Sequence, residues 1–195
     1  MWALVEDNEI TKIINKPKGL VIGDTRHSRK IFEYWSKEEK EAIGIYEIIF
    51  DNSNKKDEEY YNNTNQSFDY SDGEVIASYG SATPKELDDV TDEDDNVTEG
   101  LKTKHKKIIK QQASGLLAPT DWYVLKAIDV EDYSVPSAVS TFRTNVRTRS
   151  NEMETAIDNA SDVDALKALY EYVNTGTEVN PVMERPLGEF PTLEI

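Results

Sequence analysis

The side chains able to do chemistry in this chain are overwhelmingly carboxylates. Its 195 residues hold 38 Asp and Glu, 22 Lys and Arg, two His and no Cys. The densest acidic run is Glu86, Asp88, Asp89, Asp92, Glu93, Asp94, Asp95 and Glu99, set against Lys85 alone. Hard divalent cations take oxygen ligands, and Asp92-Glu93-Asp94-Asp95-Asn96 begins like a calcium loop, Asp-x-Asp-x-Asn. The pattern then fails. Val97 stands where the sharp turn needs Gly, and Thr103 stands where a bidentate Glu closes the site. Without Cys there are no disulfides, no thiolate nucleophile and no Cys-based zinc site. His27 and His105 would each need a nucleophile and an orienting carboxylate to build a triad. Asp24-Thr25-Arg26-His27-Ser28 reads instead as a polar turn. Asp and Glu are so abundant that no pair is singled out for glycoside hydrolysis, and no Gly-rich phosphate loop occurs. The expectation is a non-enzyme with no cofactor and no metal.

The basic side chains cluster just after the acidic run, at Lys102, Lys104, Lys106, Lys107 and Lys110, with His105 among them. No aromatic residues interleave with these lysines, so charge pairing within the chain, or a solvated face, is the reading. The net charge of −16 argues against nucleic acid and against anionic membrane surfaces, both of which need Lys and Arg. No apolar run reaches the roughly 18 residues of a membrane span. Glu6, Asp7 and Glu9 interrupt the first residues, which predicts no signal peptide.

Trp2, Tyr34, Trp35, Tyr46, Tyr60, Tyr61, Phe68, Tyr70 and Tyr79 offer either a carbohydrate-stacking surface or the core of a small β-domain. Trp2, Trp35 and Tyr46 are assigned to the core. Tyr60, Tyr61 and Tyr70 are left open between the two, because Asn62, Asn63 and Asn65 mark a polar rim beside them.

The elements that must position these groups divide the chain. The fold class expected is α+β, with a small antiparallel β-domain over 1–83, an acidic linker over 84–100, a helical hairpin or bundle over 101–173 and an extended tail over 174–195. In the first part, Trp2–Val5 and Ile10–Ile14 flank the turn residues Asp7-Asn8 and read as a hairpin. Leu20–Ile22 turns at Gly23-Asp24, with Arg29–Phe32 expected to pair back. Ser36 and Glu39 form a capping-box pattern for a short helix over Ser36–Ile43, ended by Gly44. Gly44–Phe50 is the strongest strand signal. Tyr60–Tyr70 and Glu74–Tyr79 flank Asp72-Gly73, the best hairpin signal.

The acidic run carries few apolar residues and is expected to be a mobile linker, or at most a loosely docked loop. Past it, Leu101, Ile108, Ile109, Ala113, Leu116 and Leu117 make an apolar helical stripe. Helices are expected over Asp121–Ile128, Pro136–Ala160 and Asp162–Tyr172, the last capped by Ser161 with Asp164. Val139, Phe142, Val146, Met153 and Ile157 recur at helical spacing after Pro136, which suits a first turn. Arg143, Arg147 and Arg149 lie mostly off that stripe.

The run Leu116, Leu117, Thr120, Asp121, Trp122, Tyr123, Val124, then Pro136, Val139, Phe142, Arg143, Val146 and Arg147, resembles the C-terminal domain of bacteriophage tail fibre assembly proteins. The resemblance covers about residues 101–172. The ending Pro186–Pro191, Pro-Leu-Gly-Glu-Phe-Pro, is similar to that of short marine phage tail-associated proteins. The resemblance implies a non-enzymatic tail-associated protein, acting in tail fibre assembly or attachment through protein–protein contacts. It would reside in the virion tail, or in the host cytoplasm during assembly. Its partner would be a tail fibre or other virion protein, with self-association as a further contact. Trp122 and Tyr123 are expected as hairpin core or, if exposed, as a partner anchor. Arg143 and Arg147 are expected to face outward and pair with a partner's carboxylates. The alternative is a carbohydrate-binding or carbohydrate-cleaving β-domain of a phage adhesin.

Overall fold

The computed structural model describes residues 1–194. The chain is an α+β protein that divides into two compact units, 1–83 and 84–195.

Unit 1 is built on one sheet. Strands β1 (Trp2–Glu6) and β2 (Glu9–Ile14) form the expected hairpin. Asp7 and Asn8 turn it at φ 52° and 63°, the left-handed region that Asn and Asp tolerate best after Gly. Strands β3 (Leu20–Ile22) and β4 (Thr25–His27) form a second small hairpin. The return strand is therefore Thr25–His27 and not Arg29–Phe32. Ile31–Tyr34 is instead a helical turn, α1, which buries Ile31 and Phe32. Helix α2 (Lys37–Glu41) opens on the capping box: Glu39 N donates to Ser36 Oγ at 3.2 Å and Ser36 N to Glu39 Oε2 at 2.7 Å. Gly44 ends it at φ 80°, and a Cβ there would lie 2.4 Å from the Val5 carbonyl oxygen, so only Gly fits.

Strand β5 (Ile45–Asp51) follows, then the short β6 (Tyr61–Asn62), β7 (Gln66–Ser71) and β8 (Glu74–Tyr79). The sheet order is β2-β1-β5-β8-β7. Its central pair, β5 and β8, runs parallel and every other pair antiparallel, so the sheet is mixed. A parallel neighbour requires the chain to return to the same end of the sheet: residues 52–65 lead from β5 past the place of β8 to the edge strand β7, and β7 carries the chain back before the β7–β8 hairpin. Strand β1 is buried on both faces. Leu4 joins Ile14, Leu20, Ile31, Phe32 and Ile45 on one side, while Ala3 and Val5 join Ile48, Val75 and Ala77 on the other. This is the period-two alternation of a strand with a core on each face.

Unit 2 begins at Pro84, the second residue of the short β9 (Thr83–Pro84), and continues into the acidic run. The run expected as a linker forms a small hairpin, β10 (Val90–Thr91) with β11 (Val97–Thr98). It also caps the next helix, α3 (Leu101–Leu117). The first amides of a helix have no partner within it. Here Asp89 Oδ1 accepts from Gly100 N at 2.8 Å, and the Glu86 and Leu87 carbonyls accept from Leu101 N and Lys102 N, each at 3.0 Å. Gly100 admits this approach because a Cβ would fall 2.4 Å from the Asp88 backbone. Main-chain bonds and ion pairs order a segment that apolar burial could not, which is why hydropathy missed it.

Helix α3 packs along α5 (Ser137–Asp158). Leu101, His105, Ile109 and Ala113, four residues apart, form the buried face of α3. Ile108, expected in that stripe, is 46% exposed, and His105 takes its place in the core. On α5 the stripe Val139, Phe142, Val146, Met153 and Ile157 is buried as its spacing requires. Between α3 and α5 come a 3-10 turn (Ala118–Thr120) and α4 (Asp121–Asp129). After α5 comes α6 (Val163–Ala168), shorter than expected and capped by Asp162, whose Oδ1 accepts from Ala165 N at 2.7 Å. Ser161 with Asp164 is not the cap.

The tail is not simply extended. Strands β12 (Val173–Asn174) and β13 (Met183–Glu184) pair. Leu187 is buried, and Phe190 and Leu193 pack on the Ala113–Phe142–Val146 cluster.

Candidate functional site

The residues singled out by sequence divide between a corner and a protruding helix. Thr120 and Asp121 end the turn after α3, and Arg143 lies one turn into α5 past Val139. The structure brings all three together. Arg143 Nη1 donates to the Leu117 carbonyl at 3.1 Å and to Thr120 Oγ1 at 2.5 Å, and pairs with Asp121 Oδ1 at 2.8 Å. Thr120 is buried and its hydroxyl in turn donates to the Leu117 carbonyl at 2.7 Å. The Arg143 side chain is only 11% exposed. A guanidinium with a planar fork of donors suits such a corner, because it satisfies a helix-end carbonyl, a hydroxyl and a carboxylate at once. The expectation that Arg143 faces outward toward a partner is therefore corrected: it braces the corner between α3 and α5.

Arg147, one turn further on, is exposed. Its Nη1 reaches only the Arg143 carbonyl, at 3.3 Å, and no carboxylate pairs with it among the described residues. Arg149 belongs to the tail: its guanidinium donates to the Leu187 and Glu189 carbonyls at 3.0 and 3.2 Å. Between the facing surfaces of α3 and α5 lies an open cleft of about 480 Å³. Lys110, Arg143 and Arg147 line it, with Asp121 at its rim and Ala113 and Leu117 in its wall.

Helix α4 rises from this corner with no buried residue at all. Trp122 is 51% exposed, Leu125 61% and Ile128 76%. The expectation that Trp122 is hairpin core is corrected. Six of the nine residues of α4 are apolar and they lie all round the helix, so one neighbouring surface could not cover them. The Trp122 and Tyr123 rings lean on each other, with centroids 3.8 Å apart. The Lys126 ammonium lies 5.9 Å from the Trp122 ring centre and 4.4 Å from that of Tyr133. Its charge is thus folded back on the arm's own aromatics.

Four of the five lysines of α3 are paired within unit 2: Lys102 with Asp88 at 3.1 Å, Lys106 with Asp158 at 2.6 Å, Lys107 with Glu99, and Lys110 with Glu154 at 3.2 Å. The hydrogen bond that Lys106 donates to the Asp158 carboxylate raises the Lys106 pKa above its ordinary value. Asp92, the first residue of the calcium-like pattern, spends its carboxylate on its own turn. Its Oδ1 accepts from Asp94 N and Asn96 N, each at 2.9 Å, and the Asn96 bonds hold its pKa below the ordinary range. Among the described residues, no group of three or more His, Asp or Glu is placed to hold a metal ion, and no helix is long and apolar enough to cross a membrane.

The aromatics of unit 1 are mostly inside. Tyr60 and Tyr61 are buried, and the Trp2 and Phe32 rings pack 4.8 Å apart. The Tyr70 and Tyr46 hydroxyls share a hydrogen bond at 3.0 Å. That bond, with burial, pushes the Tyr46 phenol up to about 12. Tyr34, at 76% exposed, and Phe50, at 47%, are the exceptions. Compared with protein-family models, with curated proteins and with solved structures, the chain matches none.

Proposed function

We propose that this chain is a non-enzymatic bacteriophage tail-associated protein that acts in tail fibre assembly or attachment by docking another tail protein on α4. The observation that carries the reading is the exposure of that helix. An apolar helix with no buried residue leaves Trp122, Leu125 and Ile128 in water, an arrangement that favours insertion into a partner's groove. Tryptophan is among the residues that most often dominate such interfaces. The corner formed by Thr120, Asp121 and Arg143 holds the base of α4 rigidly, so the arm is presented in a fixed direction from α3 and α5. The sequence resemblance to tail fibre assembly proteins lies on these same residues and supplies the class of partner. On this reading the protein works in the virion tail or in the host cytoplasm while particles assemble.

The test is capture of the tail fibre protein of the same phage by the full chain, identified by mass spectrometry. Wild type should retain the fibre protein and Leu125→Lys should lose it while melting at the wild-type temperature. Equal capture by both, or no fibre protein in either, would refute the proposal.

A further inference from the structure

We infer that the cleft between α3 and α5 is a receptor for a single peptide carboxylate, the side chain of a Glu or Asp in an extended segment. Arg147 carries the inference. Of the three cations that line the cleft, two are paired with a carboxylate. Arg143 has Asp121, Arg149 has Glu152 and Lys110 has Glu154. Arg147 stands in the same row of α5 and has none among the described residues, although it lines a concave surface. Its fork of N–H donors is therefore open to a bidentate acceptor.

The neighbouring groups define the ligand. Lys110, Arg143 and Arg147 face the cleft, while Asp121 and Glu154 neutralise two of these three cations. A surplus of one positive charge matches a monoanionic carboxylate. It does not match phosphate, whose second charge would meet the Asp121 and Glu154 carboxylates without compensation. Ser114 and Asn151 line the same cleft and offer hydroxyl and amide groups for a peptide backbone. Ala113 and Leu117 give its wall an apolar surface for the methylenes of an acidic side chain. A volume of about 480 Å³ holds such a side chain with its adjoining peptide units. The site lies at the foot of α4 but does not require α4 to be occupied, so it stands or falls apart from the docking proposal.

The experiment titrates the full chain at constant ionic strength with acetyl-Gly-Glu-Gly-amide, with acetyl-Gly-Gln-Gly-amide and with inorganic phosphate. The Nε–Hε signals of Arg143 and Arg147 are followed by NMR. The Glu peptide should give a saturable shift at Arg147 and bind about tenfold or more tightly than the Gln peptide, the factor that one added charge-assisted contact supplies. Arg147→Gln should abolish the difference between the two peptides without changing the melting temperature. The inference is overturned if the Gln peptide binds as well as the Glu peptide on wild type, or if Arg147→Gln keeps the preference. It is also overturned if phosphate binds more tightly than the Glu peptide, which would make the cleft a general anion site. The comparison of the two peptides on wild type decides the matter even if the variant folds poorly.

Discussion

Helices α4 and α5 lie in the same unit, and α4 is the more apolar, six of its nine residues against seven of 22, yet α5 buries six of its residues and α4 buries none. The difference lies in arrangement. On α5 the apolar residues form one stripe, which packs along α3 and, at Phe142 and Val146, meets the tail. On α4 they surround the helix, and none of them is buried. Apolar content therefore measures how much surface seeks cover, while its angular distribution decides whether one neighbour can supply it. A helix apolar all round calls for enclosure from several sides, which unit 2 does not provide.

The largest effect should come from the α5 stripe. Phe142→Ala removes a buried ring that contacts Ala113 and the tail residues Phe190 and Leu193, and should cost about 3–5 kcal/mol in denaturant unfolding. If unit 2 barely responds, the α3–α5 seam is not its core. Arg143→Ala comes next. It removes the contacts to the Leu117 carbonyl, the Thr120 hydroxyl and the Asp121 carboxylate and leaves the corner only the Thr120–Leu117 bond, a loss of about 1–3 kcal/mol. A melt unchanged from wild type would return Arg143 to the surface role that the sequence suggested.

A smaller effect is expected on acidification, at the start of α3. The bond from Gly100 N holds the Asp89 carboxyl below its ordinary value of 3.8, assisted by Thr103. A carboxylate whose folded pKa is depressed stabilises the fold above its unfolded pKa and loses that contribution as pH falls through the lower folded value. Hydrogen exchange at the Gly100, Leu101 and Lys102 amides should accelerate across that acidic window, after correction for intrinsic rate, and Asp89→Asn should flatten the dependence. Identical pH profiles for wild type and variant would remove Asp89 from the cap. The smallest stability effect should be Trp122→Ala, within about 0.5 kcal/mol of wild type because the ring is half exposed. A loss of several kcal/mol would mean that α4 is packed after all, and the contrast with α5 would collapse.

Much of unit 1 was legible because its signals are local. Asp7-Asn8, Asp72-Gly73, the Ser36–Glu39 box and Gly44 each act over two to four residues, through dihedral preference or a hydrogen bond to a near neighbour. The parallel pairing of β5 with β8 was not legible, since the strands lie more than 20 residues apart and no local rule fixes their direction. In unit 2 the α5 stripe was legible by periodicity. The order of the acidic run and of the tail was not, because main-chain carbonyls and a few scattered apolar residues hold them, and neither leaves a periodic trace. Of the candidate site, the types were visible and the roles were not. Trp122 and Arg143 exchanged places, the ring going outside and the guanidinium inside.

What the sequence determined by itself is the main helices and the two best-marked hairpins, the α+β class, the absence of thiol chemistry and a charge balance hostile to polyanions. Those properties follow from composition, turn residues and spacing, which depend on near neighbours alone. Only the tertiary structure decided which cation is braced and which is open, which aromatic is core and which is arm, and that the acidic run caps α3. Each of those outcomes depends on what a side chain meets from a distant part of the chain. A guanidinium 23 residues from its threonine partner carries no mark of that meeting in its own neighbourhood.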